Sequence, residues 1–132
     1  MQKIAVVTGG SRGIGFGIAS QLAEDGFHVV IMAVSPREKH KEHLLLLENY
    51  PSGYTYIQGS IASREDRIRC ISQVIREYGR IDVLVNAAGV VGTRGNFVDL
   101  DLSDIQNTIN INLMGTINLS QLTSWEMIRQ RS

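Results

Sequence analysis

Five glycines fall within the nine residues from Gly9 to Gly17, in the stretch Thr-Gly-Gly-Ser-Arg-Gly-Ile-Gly-Phe-Gly that begins at Thr8. The flanking residues show what this loop joins. Lys3 to Thr8 is a short apolar run of the kind that forms a buried parallel strand. Ile14 to Asp25 carries Ile14, Ile18, Leu22 and Ala23 at helical spacing, and Gly26 stands where a helix C′ glycine belongs. The chain therefore turns straight from a strand into a helix. Glycine is required where the backbone takes a positive φ or approaches a ligand closely. A tight turn without a ligand is the plainer alternative, but it needs fewer glycines than this. A helix starting here offers unpaired N–H groups and the positive end of its dipole, a seat for pyrophosphate. Gly9, Gly10, Ser11, Arg12, Gly13, Ile14 and Gly15 are the candidate binding residues.

The same alternation continues along the chain. His28 to Ala33 is a second buried strand, and Arg37 to Asn49 reads as a helix between Pro36 and Pro51. Tyr54 to Gln58 is a third strand, rich in aromatic and β-branched residues. Ser63-Arg-Glu-Asp66 resembles a capping box with Asp in place of Glu or Gln. It opens a helix with Ile68, Ile71, Val74 and Ile75 on one face, closed by Gly79. Ile81 to Asn86 is a fourth buried strand, followed by a loop from Ala88 to Leu102. A second capping box, Ser103-Asp-Ile-Gln106, opens a long helix over 103–131 that is apolar nearly all round. The order βαβαβαβα implies right-handed crossovers and an α/β fold. We expect one Rossmann-like, doubly wound parallel sheet with strand order 3-2-1-4, a single domain over residues 1–132.

Composition narrows the function classes. Lys plus Arg and Asp plus Glu are both 13, so there is no net field to grip a nucleic-acid backbone. No apolar run approaches the roughly 20 residues that span a bilayer, and Met1-Gln2-Lys3 leads directly into a strand without a secretory signal. The expectation is a cytoplasmic domain that binds neither nucleic acid nor membrane. Cys70 is the one cysteine and lies among apolar helix positions, a packing residue rather than a nucleophile. His40 and His43 share a helix face among Lys39, Lys41 and Glu42, the profile of a solvated surface, so no metal site is expected. His28 starts a strand and reads as structural.

The glycine spacing does not match Gly-x-Gly-x-x-Gly. It is Thr-Gly-x-x-x-Gly-x-Gly, Thr8 through Gly15, and it resembles that of the short-chain dehydrogenase/reductase family. Asn86-Ala87-Ala88-Gly89 is similar to the family's Asn-Asn-Ala-Gly, with Ala87 replacing the second Asn. Asn112-Leu-Met-Gly-Thr116 is similar to its Asn-Leu-x-Gly segment. Thr-Gly-Gly-Ser-Arg-Gly-Ile-Gly is similar to the loop of the family's bacterial 3-oxoacyl-acyl-carrier-protein reductases. The resemblance places Asn86, Ala87 and Gly89 beside a dinucleotide. It also places Ser60 and Ile61 at the adenine, where Ser60 stands in for the family's Asp and loses charge assistance.

The choice of dinucleotide follows from charge. An NAD site normally has an acid after the second strand to hold the ribose 2′-OH. Here that stretch is Met32-Ala33-Val34-Ser35-Pro36-Arg37, with no acid before Glu38. Arg12, Arg37 and Ser35 are available to a 2′-phosphate, so NADP is expected rather than NAD; for Arg37 a solvated place in the first turn of the helix is the plainer alternative.

The resemblance implies reduction of a carbonyl or oxidation of an alcohol, with 3-oxoacyl thioesters a candidate substrate class. It gives Asn112 a supporting catalytic role in a water relay; a helix–helix hydrogen bond is the plainer alternative. The family's proton-donating Tyr has a Lys four residues on. None of Tyr50, Tyr54, Tyr56 and Tyr78 does. By resemblance the catalytic Ser, Tyr and Lys lie beyond Ser132, and this chain is the dinucleotide-binding half. The fourth strand is then an edge, and the 103–131 helix a surface for homo-oligomer formation. A non-catalytic nucleotide-binding or partner module, or an inactive truncated product, is the alternative.

Overall fold

Ile4, Ala5, Val6, Val7 and Thr8 are all buried, as a strand covered on both faces must be. They form β1 (Ile4–Thr8) in a computed structural model that describes residues 1–131. The other elements are α1 (Gly13–Glu24), β2 (His28–Ala33), a 3₁₀ turn (Arg37–His40), α2 (Lys41–Leu47), β3 (Tyr54–Gln58), α3 (Arg64–Tyr78) and β4 (Val83–Asn86). After a loop with a short 3₁₀ turn at Phe97–Asp99 come α4 (Leu102–Ile109), a π-helical stretch (Asn110–Gly115) and α5 (Thr116–Gln130). The strands are parallel in the order β3-β2-β1-β4, the expected topology.

Side chains alternate across the sheet and divide the core in two. Ile4, Val6, Val30 and Met32 face α3 and α5, where they meet Cys70, Ile71, Val74 and Leu119. Val7, Val29 and Ile31 face α1 and α2, meeting Ala19, Ala23, Leu44 and Leu47. Each fully buried Val, Leu or Ile contributes roughly 1.5–3 kcal/mol. Small residues on α1 let that helix lie close to the sheet, which brings its first turn over the end of β1. Cys70 is fully buried in the first cluster, and burial pushes its thiol up to about 12. His28 is also a packing residue. Its Nδ1 donates to the Ser52 carbonyl at 2.8 Å, and its Nε2 is 2.8 Å from the Thr55 hydroxyl, which in turn meets the Tyr78 phenol.

Several element boundaries differ from the sequence reading. The fourth strand begins at Val83 because both backbone groups of Ile81 are taken by the Gln130 side chain, at 3.0 and 2.8 Å. The helix expected over 37–49 divides at His40 into a 3₁₀ turn and the short α2. Ser63 does cap α3, accepting from the Asp66 N–H at 3.2 Å, but Asp66 does not return the bond; its carboxylate takes the Ser60 N–H instead. The second capping box does not form. Asp101 caps α4 by accepting from the Ser103 N–H at 3.2 Å. The long helix is not continuous either. It widens over Asn110–Gly115, where Gly115 abuts Ile61 so closely that a Cβ would stand 2.9 Å from the Ile61 Cγ1.

Asp82 ties the start of β4 to the start of β1. Its carboxylate accepts from the Ile4 N–H at 2.8 Å, its own N–H donates to the Ile4 carbonyl at 2.8 Å, and the Arg80 guanidinium rests on the same carboxylate. Arg80, then the Ile4 N–H, hold the Asp82 carboxyl below the ordinary carboxylate range. A depressed folded-state pKa gives stability that is complete above about pH 4 and is lost as pH falls through the lower folded value. Asp82→Asn should therefore flatten the loss of stability between about pH 4 and pH 2, measured by circular dichroism during acid titration. An unchanged acid limb would remove Asp82 from the account.

Candidate functional site

A cleft of about 540 Å³ opens at the carboxyl ends of β1, β2 and β4, where the strand order reverses between β1 and β4. That is within the usual size of a ligand site and at the usual place in an open α/β sheet.

The glycine loop forms its floor. Gly9 extends the β1–β2 ladder by donating to the Met32 carbonyl at 2.8 Å. It then turns with φ +64, and a Cβ there would lie 2.8 Å from the Ala88 Cα. Gly15 lets the first turn of α1 rest on the loop, since a Cβ would fall on the Gly9 carbonyl. Gly13 has φ +56 and open space beyond its Cα. The first helical bond of α1 runs from the Phe16 N–H to the Arg12 carbonyl at 3.1 Å. The N–H groups of Gly13, Ile14 and Gly15 thus precede the helical ladder. No side chain caps them and no acid lies in the first turn, so the positive end of the helix is uncompensated. Arg12, Gly13 and Ile14 line the cleft.

The walls are fixed from behind by side chains. Thr8 is fully buried, and its hydroxyl oxygen accepts from the Ala87 and Ala88 N–H groups, each at 3.2 Å. It also donates to the Val85 carbonyl at 3.4 Å, which joins the ends of β1 and β4. After β2, the Ser35 carbonyl accepts from the Tyr56 phenol at 2.7 Å and the Val34 carbonyl from the Gln58 amide at 3.1 Å. Burial pushes the Tyr56 phenol up, so it remains a donor. After β3, Asp66 accepts from the Ser60 N–H at 2.8 Å, and this bond first, then Arg69, holds its carboxyl low. The Ser60 hydroxyl oxygen accepts from the Ala62 N–H at 3.2 Å and retains its own proton to donate.

The candidate residues do not all converge. Gly9, Ser11, Arg12, Gly13, Ile14, Gly15, Ser35, Ser60, Ile61, Ala87 and Gly89 line the cleft. Gly10 lies behind it, packed against Val7 and Ile31. Arg37 turns away from the cleft: its guanidinium donates to the Tyr54 phenol at 2.6 Å and sits 5.3 Å from that ring's centroid. Asn86 points toward α5, where its amide donates to the Ser120 hydroxyl at 3.0 Å. Asn112 lies in the π-helical stretch and uses both ends of its amide on one residue. Its Oδ1 accepts from the Val90 N–H and its Nδ2 donates to the Val90 carbonyl, both at 2.8 Å. The partner of Asn112 is therefore the loop after β4 rather than another helix, and each amide end keeps one further hydrogen-bonding position.

Sequence reasoning missed Thr8, Val34, Tyr56 and Gln58 as parts of the site. The alternation Tyr54, Tyr56, Gln58 along β3 was a usable signal, because it puts three polar-tipped side chains on one face. It also missed His43. That residue is exposed, as expected, but it is not without contacts: its Nδ1 is 3.0 Å from the Ser11 carbonyl and its ring stacks on Phe16. Among the described residues no three His, Cys, Asp or Glu side chains gather as metal ligands, and no helix is long and apolar enough to cross a membrane.

Residues 3–132 match the short chain dehydrogenase family. The 3-oxoacyl-[acyl-carrier-protein] reductase FabG of Staphylococcus aureus is 36% identical over 133 residues, covering 100% of this chain and 53% of that protein. A 3-oxoacyl-[acyl-carrier protein] reductase from Brucella melitensis, solved in complex with NAD, superposes with a TM-score of 0.88 at 31% identity, covering 97% of this chain and 50% of the other. A short chain dehydrogenase from Burkholderia cenocepacia, solved in complex with NADP, superposes with a TM-score of 0.85 at 36% identity, covering 92% and 49%. The chain thus spans about half the length of the relatives it matches.

The three bonds of Thr8 generate a test. Thr8→Val keeps the shape and leaves the Ala87 and Ala88 N–H groups without their acceptor. It should cost about 1–3 kcal/mol, read as a lower midpoint in urea denaturation. A variant as stable as the parent would show that the two strand ends are joined by other means.

Proposed function

Because the chain belongs to the short chain dehydrogenase family, we propose that its cleft binds a nicotinamide dinucleotide, NADP(H) in preference to NAD(H). We further propose that these residues are the dinucleotide-binding half of an enzyme that reduces a carbonyl or oxidises an alcohol, with 3-oxoacyl thioesters as the substrate class. The observation that carries the reading is the loop itself. Gly15 brings the uncapped start of α1 onto the Gly9 carbonyl, and the space in front of Gly13 is open. A Cβ at Gly15 would destroy the cradle, and one at Gly13 would intrude on it.

The residues divide the task by chemistry. The N–H groups of Gly13, Ile14 and Gly15 suit pyrophosphate oxygens, in the favourable field of the helix end. Arg12 lines the cleft and has no carboxylate partner among the described residues, so its charge is available to a 2′-phosphate. Ser35 adds a hydroxyl, and no Asp or Glu lines the cleft to hold a 2′-OH or repel a phosphate. Ser60 faces the adenine end with a donor rather than the charged acceptor of an Asp. When bound, the nicotinamide supplies or accepts the hydride. Asn112, through Val90, positions the loop that borders that end of the cleft. A group that protonates the developing oxyanion is also needed, and no Tyr here has a Lys four residues on. A nucleotide-binding module without turnover is the second reading. The apolar residues exposed on α4, the π stretch and α5, among them Leu102, Leu113, Ile117 and Ile128, suit self-association in either case.

Calorimetric titration with each dinucleotide tests the binding. NADPH should bind about ten- to a hundredfold tighter than NADH, the range for one charge-assisted contact, and Gly13→Val should abolish binding of both. Equal affinities would defeat the preference, and a Gly13→Val variant that still binds would reduce the loop to a turn.

Turnover is the second test. The 132-residue chain should not oxidise NADPH in the presence of an acetoacetyl thioester above the buffer rate. Activity that copurifies with it would mean that a donor other than a Tyr–Lys pair lies within these residues.

A further inference from the structure

His43 stands on α2, exposed and outside the cleft, yet its hydrogen bond and its ring contact are both to the segment that forms the cleft floor. Its Nδ1 lies 3.0 Å from the Ser11 carbonyl oxygen. A carbonyl can only accept, so Nδ1 carries the proton and donates; this assignment follows from the partner. Its ring lies on Phe16 with centroids 4.6 Å apart and planes at 21°, a stacked contact. Phe16 is the residue whose N–H closes the first turn of α1 on the Arg12 carbonyl.

The consequence follows from the geometry of the peptide. The Ser11 carbonyl and the Arg12 N–H share one rigid plane and point in opposite directions. Fixing the carbonyl toward α2 aims the Arg12 N–H away from α2 and sets the direction in which Arg12 leaves the backbone. On the Ser11 side the peptide is also held by burial of Ser11 and the contact of its side chain with the Tyr56 phenol. The Arg12 side is looser: Arg12 is extended with φ −157 and ψ 170, and Gly13 follows it with open space where a Cβ would stand. The Arg12 side chain has no ion pair of its own among the described residues.

We propose that His43 is a positioning residue for the glycine loop, and that through the Ser11–Arg12 peptide it sets the discrimination between dinucleotides with and without a 2′-phosphate. This rests on the function proposed above for the cleft. The chemistry needs only an N–H at Nδ1, which both the cation and the Nδ1-protonated neutral ring provide. The aromatic contact to Phe16 fixes the ring, and the hydrogen bond fixes the loop.

Two variants separate those contributions. His43→Phe keeps an aromatic ring and removes the donor, whereas His43→Asn keeps a donor at the equivalent reach and removes the ring. Dissociation constants for NADPH and NADH are measured by calorimetry on the parent and both variants, with folding checked by circular dichroism. His43→Phe should weaken NADPH about tenfold, the effect of one lost hydrogen bond, and NADH by less than about threefold. His43→Asn should hold the NADPH-to-NADH ratio within about threefold of the parent. The proposal is overturned if His43→Phe leaves the ratio unchanged, whether by binding both as the parent does or by weakening both equally. It is also overturned if His43→Asn loses discrimination, and this holds even where the phenylalanine variant does not fold. A parent that binds neither dinucleotide overturns the function proposed for the cleft, and the role of His43 with it. A parent that binds both, with an unaltered phenylalanine variant, overturns the role of His43 alone.

Discussion

The hydroxyl of Thr8 is the contact on which the site depends. Parallel strands diverge where their loops leave, and at the carboxyl ends of β1 and β4 nothing in the ladder keeps the two loops together. One buried oxygen does so with three bonds, to Ala87, Ala88 and Val85. A hydroxyl has one proton and two lone pairs, so this one is fully used. With Ala88 held there, Gly9 has room only for a hydrogen where a Cβ would be, and the loop is forced into its positive-φ turn. The seating of α1 on Gly9 follows, and with it the direction of the free N–H groups. A valine would fill the same volume but could not bring the two loops into register.

Much of this was legible in the sequence because the relevant signals are local. Buried parallel strands read as unbroken apolar runs, glycine spacing reports where backbone meets backbone, and the alternation of strand and helix dictates crossover and strand order. What was not legible depends on side chains meeting across elements. Arg37 looked available to a phosphate from its position after β2, but the Tyr54 ring and phenol lie beside it in the fold and capture it. Asn86 and Asn112 matched motifs, yet their amides go to Ser120 and Val90. His43 is exposed, as its charged sequence neighbours implied, but its contacts could not be read from them. Nothing local shows that the Ser11 carbonyl comes within reach. The false capping box at Ser103 failed for a different reason: Asp101, two residues earlier, is an equally good cap and starts the helix first.

Around the cleft, the backbone carbonyls that could compete with a ligand's phosphates are removed from the scene. Those of Ser11, Val34, Ser35 and Ile61 each accept from a side chain lying outside the cleft. The amide hydrogens at the start of α1 are left without such partners. The floor of the cleft is thus left with free donors rather than free acceptors, an arrangement that suits the anionic ligand proposed for it.

The widened turn at Asn110–Gly115 carries a consequence of another kind. A π-helical turn accommodates one residue more than an α-helical one. Removing a single residue there would let α4 and α5 join as one regular helix. Each residue of an α-helix advances the chain by about 100°, so the halves would rotate against each other by that angle. With Gly115, Leu119 and Thr123 kept against the sheet, the rotation would fall on α4 and carry the Asn112 amide off Val90. The extra residue works as a phase correction: it lets one half of the helix follow the core while the other follows the loop after β4. A length change of one at this place is therefore far less tolerable than a longer insertion near Phe97 and Val98, which are exposed on the loop before α4.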